Sequence, residues 1–252
     1  MEDASSLPTL SVVIPCWNDA NALRDVLETL CALRGVSEII VADASETPAC
    51  RAIAKTAGAV VVACDQPNRG AQMNAGATCA RGDVLLFQHA DTVLTQAHVD
   101  SLRAAMREPR VIGGAFHREF DARHPHLRWL EKVARILDNC GSTLYGDQSI
   151  FVRRSHFEKL GGFAAIPLME DIEFSRRLRR SGRTVVLDPP ISTSARRHTE
   201  QGAWKVSIQN AWLILLYRLG VSPWRLHDIY YHRRNGRNTA QPAATAAVVV
   251  NE

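Results

Sequence analysis

The sequence predicts an α/β protein in which helices flank a mixed, mainly parallel sheet and further helices close the C-terminal end. Short β-branched runs (LSVVIP, EIIVAD, AVVVA and DVLLF) alternate with helical patterns over roughly the first hundred residues. Strands separated by helix-length segments need crossovers and therefore pair in parallel. After the first run, Leu23, Val26, Leu27, Leu30 and Leu33 recur on one helical face, as in a helix with one side buried. Thr47-Pro48 then supplies a cap residue followed by the proline favoured in a first turn.

Beyond about residue 110 the texture becomes α+β. VIGGAFHREF reads as a strand, a basic and aromatic helix follows, and QSIFVRR reads as a strand before a short helix. EDIEFSRRLRRSG reads as a helix from near Glu170 that stops at Gly182, and ISTSA reads as a strand. Amphipathic helices are expected at about 203–219 and 223–234, and a mobile tail from Asn235. Trp129, Trp204, Trp212 and Trp224 sit at helical spacings among Leu and Ile, which predicts core packing. His124 and His126 flank Pro125 and read as surface, and the arginines from Arg176 to Arg183 read as a solvated face.

Composition bounds the function. The chain has 252 residues, 46% hydrophobic and 22% charged, enough to bury a core unaided. A net charge of +4 is too mild to argue for nucleic acid as a partner. The six cysteines form no CxxC pair, which argues against zinc ribbons and thioredoxin chemistry and suits reduced thiols in a cytoplasmic protein. The acidic start MEDASS does not resemble a signal peptide, and AWLILLY at 211–217 is too short to span a bilayer.

In an open parallel sheet, ligands gather beyond the carboxyl ends of strands, so polar residues there are the first candidates. Asn18 and Asp19 follow the first strand, Asp43 ends the second, and His89 and Asp91 follow the fourth. An acid just past an apolar strand can bridge a hard cation to phosphate, though such acids also cap helices. PNRGAQMNAG offers backbone N–H groups and Arg69 to an anion, but GxxxxGK[ST] and GxGxxG are both missing. Glu170 and Asp171 open a helix, where carboxylates are favoured by the dipole. Adjacent helical residues diverge by about 100°, so only one of the pair is expected to face a cleft squarely. Arg196, Arg197 and His198 follow a strand and could meet a diphosphate.

Taken in order, LSVVIPCWND, EIIVADASETP, PNRGAQMNAGA, GDVLLFQHADT, FVRRSHFEKLGGF and LMEDIEFSRRLRRSGR resemble glycosyltransferase family two, over about residues 10–220. HADT, YGDQSIFV, IPLMEDIE and TSARR together resemble a bacterial subgroup labelled arsenosugar-biosynthesis glycosyltransferases. The resemblance implies a GT-A fold that transfers sugar from a UDP- or GDP-sugar, with inversion, to an unidentified acceptor. It implies a nucleotide pocket at Pro15, Trp17, Asp43 and Arg69, and a Mg²⁺ or Mn²⁺ site at Asp91, with His89 and His198 as further ligands. Asp171 becomes the general base supported by Glu170, Arg196 and Arg197 contact diphosphate, and Gly146, Asp147 and Gln148 recognise acceptor. Two departures stand out: His89 replaces the first acid of the family's DxD motif, and Ala44 replaces the second acid after the second strand.

The domain expectation is a short extension at 1–9 and one domain at 10–234, with a nucleotide half at about 10–110, an acceptor half at about 111–234, and a tail at 235–252. A sugar nucleotidyltransferase is disfavoured because CWNDAN lacks a Gly-rich basic loop. A binding module without catalysis stays open, as does peripheral contact with an anionic membrane through the C-terminal helices and RRNGR.

Overall fold

The alternating pattern of the first half folds as a run of strand–helix units. In the computed structural model these are β1 (Leu10–Cys16), α1 (Ala20–Cys31), β2 (Glu38–Asp43), α2 (Ala49–Thr56), β3 (Val60–Ala63), α3 (Arg69–Cys79) and β4 (Val84–Phe87). The structure describes residues 7–90, 92–121, 125–139, 143–193, 203–232 and 248–249. After β4 come β5 (Thr92–Val93), α4 (Gln96–Ala105), β6 (Val111–Phe120), α5 (Pro125–Asn139) and a 3-10 turn at Gly146–Gln148. β7 (Phe151–Arg153), α6 (Arg154–Leu160), α7 (Glu170–Ser181), β8 (Arg183–Thr193), α8 (Ala203–Arg218), α9 (Pro223–His232) and β9 (Val248–Val249) complete the described chain.

One sheet joins both halves in the order β5-β8-β6-β7-β4-β1-β2-β3-β9. β1, β2, β3 and β4 are mutually parallel, and β7 runs against β4. β6 opposes β7 and runs parallel to β8, so β6 and β8 share the direction of β1. The carboxyl ends of β1, β2, β4, β6 and β8 therefore lie along one edge, where an open α/β sheet builds its site.

Each sheet face buries its own core. Leu23, Val26, Leu27 and Leu30 of α1 pack with Ile14, Leu86 and Phe116. On the other side, Met73 of α3 and Phe174 and Leu178 of α7 pack with Val13, Leu85 and Phe87. Phe87, Phe157, Phe163 and Phe174 stack on one another with ring centroids 4.5–5.6 Å apart, which holds α6, α7 and the loop between them against β4. A smaller cluster of Met169, Ile172, Leu213 and Leu226 docks α8 and α9 onto the start of α7.

Several expectations need correction. Thr47 does not cap α2; Pro48 occupies the cap position and makes no side-chain cap bond. β8 is longer than ISTSA, beginning at Arg183. It pairs with β6 through Leu187 and resumes at Ile191, while Asp188-Pro189-Pro190 passes a register shift where proline needs no ladder partner. Trp129, Trp212 and Trp224 are exposed rather than core, because the buried faces of their helices are taken by Leu127, Leu213 and Leu226. Trp204 lies where side chains are not described. α8 is not amphipathic: Val206 and Leu213 face inward, yet Ile208, Trp212, Leu215 and Leu219 at its outer side and end are exposed. His126 is buried, 3.4 Å from Ser207 Oγ, and His124 lies outside the described residues. Arg177 is no simple solvated charge: it grips Glu173 and donates to the carbonyls of Leu160 and Gly162. Of the tail, Val248–Val249 pair with β3 and the rest lies outside the described residues.

Candidate active site

The carboxyl edge carries two acids in contrasting settings, a buried Asp43 and a half-buried Asp171. Asp43 ends β2 with its side chain fully buried. Its Oδ1 accepts from the Ser45 N–H at 3.1 Å and from the Ser45 hydroxyl, and its Oδ2 accepts from Arg51 Nε at 3.0 Å. Ser45 Oγ accepts in turn from the Asn18 N–H at 2.8 Å, and Asn18 Oδ1 accepts from the Glu46 N–H. Asn18, at φ 50°, thus ties the end of β1 to the loop after β2, while Asp19 caps α1. Gln72 of α3 completes this corner by donating to the carbonyls of Cys16 and Ala42 at 2.7 and 2.8 Å. Trp17 stands 53% exposed beside it.

The second acid opens α7. Met169 turns the chain with φ 70°, and the next two residues enter the helix at its N-terminal end. Glu170 is buried and accepts from Arg69 Nε at 2.6 Å. Asp171 Oδ2 accepts from the Gly146 N–H at 2.8 Å and Oδ1 from the Ile172 N–H at 2.7 Å. Burial raises the Asp171 pKa above the usual carboxylate range, and the Glu170 charge pushes it further, while Arg69 and the two N–H donors pull it back. Burial alone would lower the Arg69 pKa, but the charges of Glu170 and Asp171 outweigh it and raise it. A carboxylate held this way is a better base than a free one.

Gly146 brings these pieces together. A Cβ there would sit 3.2 Å from His89 Nε2 and 3.3 Å from Asp171 Oδ2, so the His89 ring and Asp171 flank the same backbone. The turn holding Gly146 is itself fixed, since Gln148 Oε1 accepts from the Tyr145 N–H at 2.8 Å and Gln148 Nε2 donates to Asp138 at 3.1 Å. Asp147 pairs with Arg118 of β6. Burial lowers and the carboxylate of Asp147 raises the Arg118 pKa, with a net rise.

A cavity of about 540 Å³ opens from this point, bordered by Arg69, His89, Arg118, Asp147, Gln148 and Asp171. Five expected residues, Arg69, His89, Asp147, Gln148 and Asp171, therefore meet on one cavity, with Glu170 just behind Arg69. Pro15, Trp17 and Asp43 sit at the ends of β1 and β2, outside its walls. Asp91, Arg196, Arg197 and His198 lie outside the described residues. Sequence reading missed Arg118 and Tyr145 on the cavity and Ser45, Arg51 and Gln72 behind Asp43. The last three had no signal, because each acts through backbone or another side chain brought near only by folding.

Among the described residues, Cys16, Asp43 and Cys50 form a group whose ligand atoms lie within 4.8 Å of one another. It does not fit a hard cation. Burial and the neighbouring Cys50 push the Cys16 thiol up to about 12, and Arg51 already occupies Asp43.

A model of the family "Glycosyl transferase family 2" matches residues 11–161. The chain belongs to that family. Among solved structures, it is similar to a mannosyltransferase from Pyrobaculum calidifontis in complex with GDP-Man and Mn²⁺. The identity is 20% and the TM-score 0.62, covering 91% of this chain and 71% of that one. It is also similar to glucosyl-3-phosphoglycerate synthase from Mycobacterium tuberculosis in complex with Mn²⁺, UDP and glucosyl-3-phosphoglycerate, at 23% identity and TM-score 0.57, covering 86% and 82%. A third likeness is to S. aureus TarS 1–349, at 14% identity and TM-score 0.60, covering 90% and 74%. No curated protein sequence matches the chain. The fold shared with these structures is the GT-A fold that the motifs imply, and the family-two glycosyltransferase is built on it here from β1 through α6. No described helix is long and apolar enough to cross a membrane.

Proposed function

We propose that this glycosyltransferase moves a sugar from a UDP- or GDP-sugar to an acceptor hydroxyl by a single displacement with inversion, using Asp171 as general base. The observation that carries the reading is Asp171 itself: a carboxylate of raised pKa, fixed by two backbone N–H groups, on the wall of a cavity of about 540 Å³ at the sheet's carboxyl edge. Its role is to take the acceptor's proton as the acceptor oxygen attacks the anomeric carbon. Glu170 holds Arg69 at the entrance and tunes Asp171 by its charge.

The nucleotide is assigned to the corner of Pro15, Trp17 and Asp43, with Arg69 between it and the cavity. Asp43, fully buried and matched by Ser45 and Arg51, holds this corner from behind, and Trp17, exposed beside it, supplies a flat apolar surface. Residues 10–234 act as one domain, with the nucleotide half at about 10–110 and the acceptor half at about 111–234, where Asp147 and Gln148 shape the acceptor side. His89, flanking Gly146 beside Asp171, offers an imidazole nitrogen. The motifs would join it with Asp91 and His198, a mixed nitrogen and oxygen set that would take Mn²⁺ more readily than Mg²⁺, whose preference is for oxygen alone. Such a cation, when bound, offsets negative charge on the leaving diphosphate, a role Arg196 and Arg197 share. HADT, YGDQSIFV and TSARR support placement in the arsenosugar-type subgroup, and the chain's composition supports a cytoplasmic site of action.

The test is release of nucleoside diphosphate from a panel of UDP-, GDP- and dTDP-sugars with Mn²⁺, followed alongside a thermal-shift screen of the same donors. The reading expects one donor to raise the melting temperature and to be turned over, with both effects reduced by EDTA. A donor that binds yet is never turned over, with or without metal, would leave only a binding module.

A further inference from the structure

The cavity beside Asp171 has two chemically different ends. Near the acid it is polar, with Asp147, Arg118 and His89; away from it, Leu130, Val133 and Leu137 of α5 face Val206, Leu213 and Ile214 of α8. A nucleotide sugar has no hydrocarbon to set against these apolar side chains, among which Ser207 and Asn210 of α8 are the polar ones. The outer side of α8 is apolar as well. Ile208, Trp212, Leu215 and Leu219 recur at i, i+4, i+7 and i+11, each 46% to 73% exposed, and the exposed cations Lys205 and Arg218 stand at the two ends of this stripe. This stripe of tryptophan and aliphatics with flanking cations is a surface compatible with a lipid headgroup region. α8 thus lines the apolar arm with one side and offers a lipid-compatible surface with the other.

We propose that the acceptor is an amphiphilic alcohol, with a hydroxyl-bearing head that meets Asp171 and a hydrocarbon portion that lies between α5 and α8. The proposal rests on the glycosyltransferase reading above. A hydroxyl is assigned because a phosphate acceptor is already ionised near neutral pH and needs no base, whereas an alcohol does. In the step, the acceptor O–H gives its proton to Asp171 and the oxygen bonds to the anomeric carbon. The bond from that carbon to the diphosphate oxygen breaks, and its electron pair leaves with the nucleoside diphosphate.

The experiment uses the full chain, Mn²⁺ and either UDP-glucose or GDP-mannose, with methyl, butyl, hexyl and octyl β-glucoside as acceptors below their micelle-forming concentrations. Octyl phosphate is the phosphate arm. Turnover is read by mass spectrometry, and binding of each acceptor in the presence of UDP or GDP is titrated in parallel. KM and Kd are expected to fall by about threefold to fourfold per added methylene until the arm is full. Ala134→Phe, which places a ring in the arm, should flatten that dependence, with donor-induced thermal shift reporting that the variant is folded. Equal use and equal binding of methyl and octyl glucoside by the wild type would overturn the apolar arm, and preference for octyl phosphate would overturn the hydroxyl. Failure of the underlying reading looks different, as no donor would then bind or release diphosphate. If donor binds without turnover, the acceptor titration still decides: chain-length-dependent binding that Ala134→Phe removes supports the arm, and its absence overturns it.

Discussion

The two acids at the sheet's carboxyl edge have opposite surroundings, Asp43 being buried and Asp171 half-buried. Asp43 is matched on both oxygens by Ser45 and Arg51, in a corner locked by Asn18 and Gln72. Asp171 has backbone N–H groups and a neighbouring like charge, and it faces an open cavity with one apolar wall. A buried, satisfied acid makes a rigid corner, and an acid of raised pKa beside space makes a base. The same contrast runs through the elements that carry them. The β1–β4 half spends most of its apolar residues on the core, with Trp17 and Val60 as exceptions, whereas α8 leaves an apolar stripe outside.

The contrast predicts graded responses. Asp43→Ala should cost about 2–3 kcal/mol in urea unfolding, because the Ser45 hydroxyl and N–H are left buried without their acceptor. Arg51, 39% exposed, can turn to water and adds little. Donor affinity should fall with it. In the same half, Gly76→Ala should cost about 1–3 kcal/mol, since a Cβ there would meet Val13 Cγ1 at 2.5 Å and a β-branched side chain in a strand has little room to yield. A change below about 0.5 kcal/mol would show this half to be looser than the geometry implies.

On the Asp171 side the sharper readout is pH. A base must be ionised, and burial and Glu170 raise the Asp171 pKa, so the acid limb of the rate profile should lie above the ordinary aspartate range, with activity lost as pH falls through it. Glu170→Gln removes the like charge and leaves Arg69 unneutralised, both of which favour the ionised acid. The limb should therefore move to lower pH; a limb that stays put would disconnect Glu170 from the base. The smallest effect belongs to Trp212→Gln, expected within about 0.5 kcal/mol in stability because the ring is exposed, while partition onto anionic vesicles falls. A large loss of stability would mean the ring is covered in the folded protein.

Much of the fold was legible because the first half follows local rules. α1 presents the face that Leu23, Val26, Leu27 and Leu30 prescribe, and β6 spans VIGGAFHREF as its pattern suggests. The C-terminal half obeyed them less. The tryptophan spacings of α5, α8 and α9 mark faces without saying which is buried, since that depends on where α7 and the 3-10 turn leave room. At the site, the motifs pointed to Asp171, Glu170, Arg69 and His89, and folding gathers them. The partners that set their chemistry were not legible: the Gly146 N–H on Asp171, Arg118 on Asp147, and Gln72 across two strand ends are long-range contacts between residues with no local signature.

The central claim is that recognition by the Asp43 corner and catalysis by Asp171 are separable. It is tested most directly by comparing donor binding and sugar transfer in the wild type and Asp171→Asn with the same donor and Mn²⁺. The account predicts a donor Kd within about threefold of wild type and transfer slower by about 10²–10⁴-fold. Transfer at the wild-type rate, or loss of donor binding in step with activity, would contradict it.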